Sequence, residues 1–145
     1  DNDLKDDFYC HHKNGKYRLH LQRSGKKRKY QTSYKKIKPW CQISNNLRIY
    51  FGDFDGDGHG DRMCHSIRNG RVWIDYGRDN FKGTNWSNYN LNFCKGPQES
   101  VIISDTSGDG KDDVHCYDQR TGFLLSLRGM ENGLKELKTF DIMIE

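Results

Sequence analysis

The chain has 145 residues, room for one domain and too few for two ordinary ones. Only 33% of residues are hydrophobic and mean hydropathy is −1.03, yet 12% are aromatic and five are cysteines; this excludes a large apolar core and favours a thin-cored β domain reinforced by disulfides or metal ions over a disordered chain. Net charge is +4, and no apolar run approaches the roughly 18 residues of a transmembrane helix; a secretory leader, if one existed, is expected to have been removed already.

In chain order, "DNDLKDDFYC" (1–10) is acidic and ends in a β-like run. "HHKNGKYRL" follows, and its Asn14-Gly15 dipeptide is a strong hairpin signal. The basic segment is "RSGKKRKYQTSYKKIKPW" (23–40), in which Lys26, Lys27, Arg28, Lys29, Lys35, Lys36 and Lys38 interleave with Tyr30, Tyr34 and Trp40. Cys41 comes next. "RIYFG" (48–52) is an apolar strand running into "DFDGDGHGD" (53–61). A short strand reaches Cys64, Asn69-Gly70 marks another hairpin, and "RVWIDYG" (71–77) alternates as a half-buried strand does. Asn85-Trp86-Ser87 is a formal glycosylation sequon. Cys94 precedes a further apolar strand, "VIIS" (101–104), and "DTSGDGKDD" (105–113) repeats the acidic loop. The last segment, "ENGLKELKTFDIMIE", is ambiguous: "GLKELK" permits a helical turn, whereas "FDIMI" alternates like a strand.

These elements form an internal repeat. Asp53, Asp57, Asp61 and Cys64 fall on Asp105, Asp109, Asp113 and Cys116 at an offset of 52 residues. A truncated copy at the N-terminus aligns Asp3, Asp7 and Cys10 with Asp57, Asp61 and Cys64. Each copy reads as strand, acidic loop, strand, turn, strand and a longer return segment with room for a fourth strand. The expected fold is all-β: three propeller-like antiparallel blade repeats over about 1–46, 47–99 and 100–145. Tandem hairpin modules without ring closure are the alternative.

Carboxylates at loop positions 1, 3, 5 and 9 repel one another unless a cation sits among them. Asp53, Asp55, Asp57 and Asp61 have that spacing, and the glycines between them let the backbone curl. The seventh position, His59, is suited to contribute its backbone carbonyl rather than its imidazole. Hard oxygen ligands in this number suit Ca²⁺ better than Mg²⁺, which keeps several waters. An EF-hand begins similarly but needs a Glu at position 12 and helical flanks; here position 12 is Cys64 and the flanks read as strands.

With these residues in view, "FGDFDGDGHGDRMCHS" and "SDTSGDGKDDVHCYD" resemble the calcium loops of FG-GAP or VCBS repeats, the blade units of integrin α-subunit propellers and many secreted binding proteins. Residues 47–77 match closely. The second loop places Asp105, Ser107, Asp109, Lys111 and Asp113 at the ligand positions, and Ser107 in place of an acid is expected to weaken it. The N-terminal copy lacks the first ligand and carries Leu4 where the pattern has glycine, leaving Asp1, Asp3 and Asp7. The resemblance implies calcium as cofactor and a secreted, extracellular location, and indicates no single activity.

The leading strand of the first copy is missing, and "IMIE" resembles "VIIS"; residues 140–145 are therefore expected to complete the first copy and close the ring, hiding a sheet edge. Three blades are fewer than usual, so a compact ring or a homo-oligomer sharing blades is implied. Five cysteines leave two pairing schemes open: Cys10–Cys41 with Cys64–Cys94, or Cys41–Cys64 with Cys94–Cys116. The leftover thiol is expected to be a buried relic of the repeat, with an intermolecular disulfide as the alternative.

Residues 8–52 hold twelve Lys/Arg and no Asp or Glu, whereas the remainder holds twelve against twenty acids. Such clustering attracts polyanions. Lys26, Lys27, Arg28, Lys29, Lys35, Lys36 and Trp40 are the candidate ligand-binding residues, for a sulphated glycan or anionic cell surface, with nucleic acid as a further candidate. No catalytic pattern stands out, so the expectation is a calcium-binding recognition module, lectin-like or adhesive, rather than an enzyme. The alternatives are a small basic toxin or defence protein acting on membranes, and a secreted hydrolase of nucleic acid or polysaccharide.

Overall fold

The computed structural model describes residues 8–14, 16–20, 40–42, 46–77, 86–90, 92–130 and 133–136. Among these the chain forms ten strands and no helix. They are β1 (Phe8–His11), β2 (Tyr17–His20), β3 (Leu47–Gly52), β4 (Asp61–Ser66), β5 (Arg71–Asp75), β6 (Trp86–Asn90), β7 (Glu99–Ser104), β8 (Asp113–Asp118), β9 (Phe123–Met130) and β10 (Gly133–Glu136). The segment "GLKE" is thus a strand: it pairs antiparallel with β9, Leu134 opposite Gly129, and the helical option falls away.

Three antiparallel sheets result: β1-β2, β3-β4-β5-β6 and β7-β8-β9-β10. The second and third are four-stranded meanders of the same design, in which an acidic loop joins the first two strands and a glycine turn joins the second and third. In the β1-β2 hairpin, Cys10 takes the place of Cys64 and Cys116, so its strands match the middle pair of the larger sheets. The closing strand expected at 140–145 and the acids Asp1, Asp3 and Asp7 lie outside the described residues, as do the basic residues 23–38.

Gly70 and Gly122 occupy the equivalent turn positions at φ +67° and +72°, the left-handed region that glycine tolerates without a Cβ clash. At Gly70 a Cβ would also overlap the Asn92–Phe93 backbone, so this turn is fixed by close approach as well as by φ.

A single core joins the two larger sheets. Phe54, Met63, Val72, Ile74, Phe93, Val114 and Leu127 are buried together with Cys94 and Cys116. Strand β4 lies between β3 and β5, and all six of its residues are buried. The sheets meet along β3 and β7. At their junction the Asp53 carbonyl accepts from the Asp112 amide at 2.7 Å, and the Asp112 carboxylate accepts from the Asp53 amide at 2.7 Å.

The disulfides are Cys41–Cys64 and Cys94–Cys116, with Cα–Cα distances of 5.5 and 5.3 Å. Each ties the segment leading into a sheet's first strand to its second strand. Cys41 and Cys94 share a left-handed backbone, φ 47° and 48°, so the two staples are repeated in conformation as well as in order. Cys10 is the leftover thiol, and it is exposed, which corrects the expectation of a buried relic: strand alternation turns it away from the face of the hairpin that packs on the second sheet. One thiol per native chain is expected to react with a disulfide reagent. Replacing Cys41 and Cys64 with serine, which opens a 23-residue span, is expected to cost about 3 kcal/mol in a denaturant titration.

His65 is fully buried on β4, its Nε2 2.8 Å from the Phe93 carbonyl. Burial pushes its pKa below the ordinary 6.5, against the opposing pull of that carbonyl. The unfolded chain therefore takes up this proton first as the pH falls. Stability is expected to hold above about 6.5 and to decline below it, down to the folded-state pKa. Urea midpoints compared between neutral and mildly acidic pH, with a His65→Gln variant showing a smaller slope, check this.

Candidate metal centre

The loop between β3 and β4 is organised around its first aspartate. Asp53 Oδ1 accepts from the amides of Gly56 and Asp57 at 2.8 and 3.1 Å, and Oδ2 from Gly58 at 2.9 Å. The chain can wrap one carboxylate this tightly because Gly56 and Gly58 adopt φ +72° and +80°. The loop between β7 and β8 repeats the arrangement: Asp105 accepts from Gly108, Asp109 and Gly110 at 2.7, 3.2 and 2.9 Å, and Gly108 and Gly110 sit at φ +72° and +80°.

The last aspartate of each loop closes it from below. Asp61 accepts from the Phe54 amide at 2.9 Å and the Gly77 amide at 2.7 Å. Asp113 accepts from the Thr106 amide at 3.2 Å, the Thr106 hydroxyl at 2.7 Å and the Gly129 amide at 3.0 Å. Both are buried. The 52-residue register of the sequence is therefore also a register of hydrogen bonds.

The two loops nevertheless differ in what their carboxylates face. In the first, oxygens of Asp53, Asp55 and Asp61 all lie within 4.8 Å of one another. Carboxylate oxygens gathered this closely could serve one hard cation as ligands. Burial pushes the Asp61 carboxyl up to about 7; the Gly77 and Phe54 amides oppose this, and the Asp55 and Asp53 charges add to it. Asp57 stands apart from the trio. Its Oδ1 accepts from the His59 amide at 2.8 Å and lies 3.2 Å from His59 Nδ1. The imidazole of His59 is thus turned to Asp57.

In the second loop, the Arg128 guanidinium donates to Asp109 at 3.1 Å, and the Lys111 amide donates to the other Asp109 oxygen at 3.1 Å. Against a desolvation that pushes upward, these two donors hold Asp109 below its usual carboxylate range. Ser107 turns its hydroxyl to Asp105 at 3.4 Å. The carboxylates of Asp105, Asp109 and Asp113 do not gather as those of the first loop do; among the described residues the other cluster of potential ligands is Cys94, Glu99 and Cys116. Its cysteines form a disulfide, and Glu99 accepts from the Gly96 amide at 2.6 Å.

Asp112 and Arg128 are missing from the sequence-level site. Asp112 replaces Gly60 in the repeat, a departure visible in an alignment of the two loops. Arg128 has no such mark, since it lies 19 residues from Asp109 on another strand. The Lys111 side chain lies against Gly56 of the first loop, so the two loops are neighbours.

Of the candidate ligand-binding residues, Trp40 lies within the described part of the chain. It is half-buried, with its ring 4.4 Å from the Arg62 guanidinium carbon. Lys26, Lys27, Arg28, Lys29, Lys35 and Lys36 fall outside it. Trp73 has Arg71 over its ring at 5.4 Å, so both tryptophans whose side chains are described meet arginine within the fold.

No protein-family model, curated protein or solved structure matches this chain. No helix among the described residues is long and apolar enough to cross a membrane.

Proposed function

We propose that the protein is a secreted calcium-binding recognition module of the FG-GAP/VCBS repeat type. The loop at 53–61 is its principal calcium site, and the basic segment 23–40 engages a glycan or another anionic surface ligand. The observation that carries this reading is the convergence of Asp53, Asp55 and Asp61 within 4.8 Å, beside a sister loop in which Arg128 already meets Asp109. The two loops thus share one repeat pattern but differ at a ligand position, Asp55 against Ser107, and in the Arg128 that meets Asp109. Calcium holds the first loop in shape by removing like-charge repulsion, and the second uses the protein's own cation for part of that work.

The two disulfides agree with an oxidising compartment. The repeats act as propeller-type blades, completed either within the chain or by a second copy. A glycan array probed in calcium and again in EDTA tests the recognition role. Binding to sulphated glycans that falls on chelation is expected. Equal binding to neutral and sulphated glycans, or none to either, rejects it.

A further inference from the structure

Asp53, the first aspartate of the 53–61 loop, is held from two directions. Within the loop, the amides of Gly56, Asp57 and Gly58 grip its carboxylate. From outside, one residue of the neighbouring repeat grips its backbone. The Asp53 amide donates to Asp112 Oδ2 at 2.7 Å, and the Asp53 carbonyl accepts from the Asp112 amide at 2.7 Å. The two residues are 59 positions apart and belong to the acidic loops of different sheets. A single bond would leave the chain free to swivel about it. Two bonds to the same residue fix the direction in which Asp53 enters its loop as well as its place.

The surroundings leave room for this approach. A Cβ at Gly52 would stand 2.9 Å from Asp112 Oδ2 and 2.9 Å from the Ile103 side chain. A Cβ at Gly129 would stand 2.7 Å from the Asp112 carbonyl oxygen and 2.9 Å from that of Phe54. Phe54, which follows Asp53, is fully buried, and its amide donates to the Asp61 carboxylate at 2.9 Å. The backbone of residues 52–54 is thus seated by the third sheet and the core, and through it Asp53 and Asp61 are placed relative to each other. The repeat register makes Asp112 specific to this joint. It stands where the first loop has Gly60, and Gly60 has no side chain with which to reach a neighbouring loop.

We propose that Asp112 is a positioning residue for the calcium loop: it presets Asp53 before the ion arrives, and the ion in turn tightens the joint between the second and third sheets. The inference rests on the calcium reading of the 53–61 loop and adds the residue outside that loop which sets its affinity. A ligand that meets a loop already in its bound shape is spared the cost of ordering it. Asp112 acts through the Asp53 backbone, with Oδ2 engaged by the amide.

The test is calorimetric titration of the full chain with calcium chloride, well below the melting temperature. Asp112→Ala is expected to weaken calcium binding by about tenfold, on the order of one hydrogen bond to a charged acceptor. Asp112→Asn keeps an oxygen for the Asp53 amide and is expected to stay within about threefold of the parent. Ile103→Val trims the same joint without touching Asp53; it is expected to lower the melting midpoint in EDTA and to leave the affinity unchanged. Amide hydrogen exchange on the parent needs no variant. Calcium is expected to slow exchange at Asp53 and Asp112 by at least about fivefold, because whatever strengthens ion binding is strengthened by the ion in turn. Unchanged affinity in Asp112→Ala, equal losses from the Ala and Asn variants (which would assign the effect to charge), or exchange at these two amides indifferent to calcium overturns the proposal. A parent that binds no calcium rejects the calcium reading and this one with it, whereas a parent that binds calcium while Asp112→Ala binds it equally well overturns this one alone.

Discussion

Saturating calcium is expected to raise the thermal midpoint of this protein by about 5–10 °C over the same protein in EDTA, because an ion at a hundredfold excess over its Kd stabilises by about 2.7 kcal/mol, and each kcal/mol moves the midpoint of a chain of this size by about 2–4 °C. The shift depends on Asp53, Asp55 and Asp61, whose oxygens lie within 4.8 Å of one another. Asp55→Asn is the sharpest variant. Its carboxylate accepts from the Asp57 amide at 3.3 Å, and Asn keeps the side chain's size and an acceptor oxygen while removing a charged ligand. It is expected to abolish most of the calcium shift and to leave the EDTA midpoint unchanged or higher, since one source of repulsion is gone. Asp109→Asn, in the loop where Arg128 already bonds the carboxylate, is expected to lose little of the shift. Calorimetry should then count one strong calcium site per chain. Identical melting in calcium and EDTA, or equal losses from Asp55→Asn and Asp109→Asn, contradicts the assignment.

Arg62→Ala is expected to destabilise the protein by about 3–5 kcal/mol, the range for breaking a buried ion pair by removing one partner. Arg62 is fully buried at the centre of an aromatic box. It donates through Nε and Nη2 to Asp75 and through Nη1 to Tyr9. The Tyr17 and Trp40 rings lie against it at 4.2 and 4.4 Å. Because the guanidinium only donates, the Tyr9 oxygen accepts there, which leaves its proton for His11 Nδ1 at 3.0 Å and puts the imidazole proton on Nε2, 2.9 Å from the Cys41 carbonyl. One arginine therefore ties together the N-terminal hairpin, the disulfide at Cys41 and the second sheet. Burial drives the Tyr9 phenol up to about 12, against the pull of Arg62, so the hydroxyl keeps its proton throughout the neutral range. Denaturant unfolding measures the loss. An Arg62→Met/Asp75→Leu double variant, which removes both charges at once, is expected to recover much of it. A single variant within 1 kcal/mol of the parent, on the order of a surface substitution, rules out this role.

The acidic loops were legible because their chemistry is local. Five ligand positions fall within nine residues, and glycines at set places allow the left-handed turns, so the loop's geometry is written where its ligands are. Strands β5 and β7 were legible for a similar reason, from alternation or from a bounded apolar run. Strand β4 was harder: every residue of "DRMCHS" is buried, including Arg62 and His65, and a charged residue in a fully buried strand leaves no alternation to read. Its partner Asp75 lies 13 residues away, opposite it across the β4-β5 pairing. The cysteine pairing was equally undetermined along the chain, since both schemes gave closed loops of similar length; the packing of the segment before each first strand against the second strand selected Cys41–Cys64 and Cys94–Cys116.

The sequence by itself determined that the acidic loop is a repeated unit, that glycines shape it, and that strands flank it. It also marked the second copy as the weaker one, because Ser107 stands where the first has Asp55; only the tertiary structure showed what the remaining carboxylates of each loop face. The groups that make the difference, Arg128 beside Asp109 and the Asp112–Asp53 pair between the sheets, come from other strands or from the neighbouring repeat. Charge acts through space over a few ångströms, whatever the separation along the chain, so two nearly identical loops can acquire opposite needs for a cation.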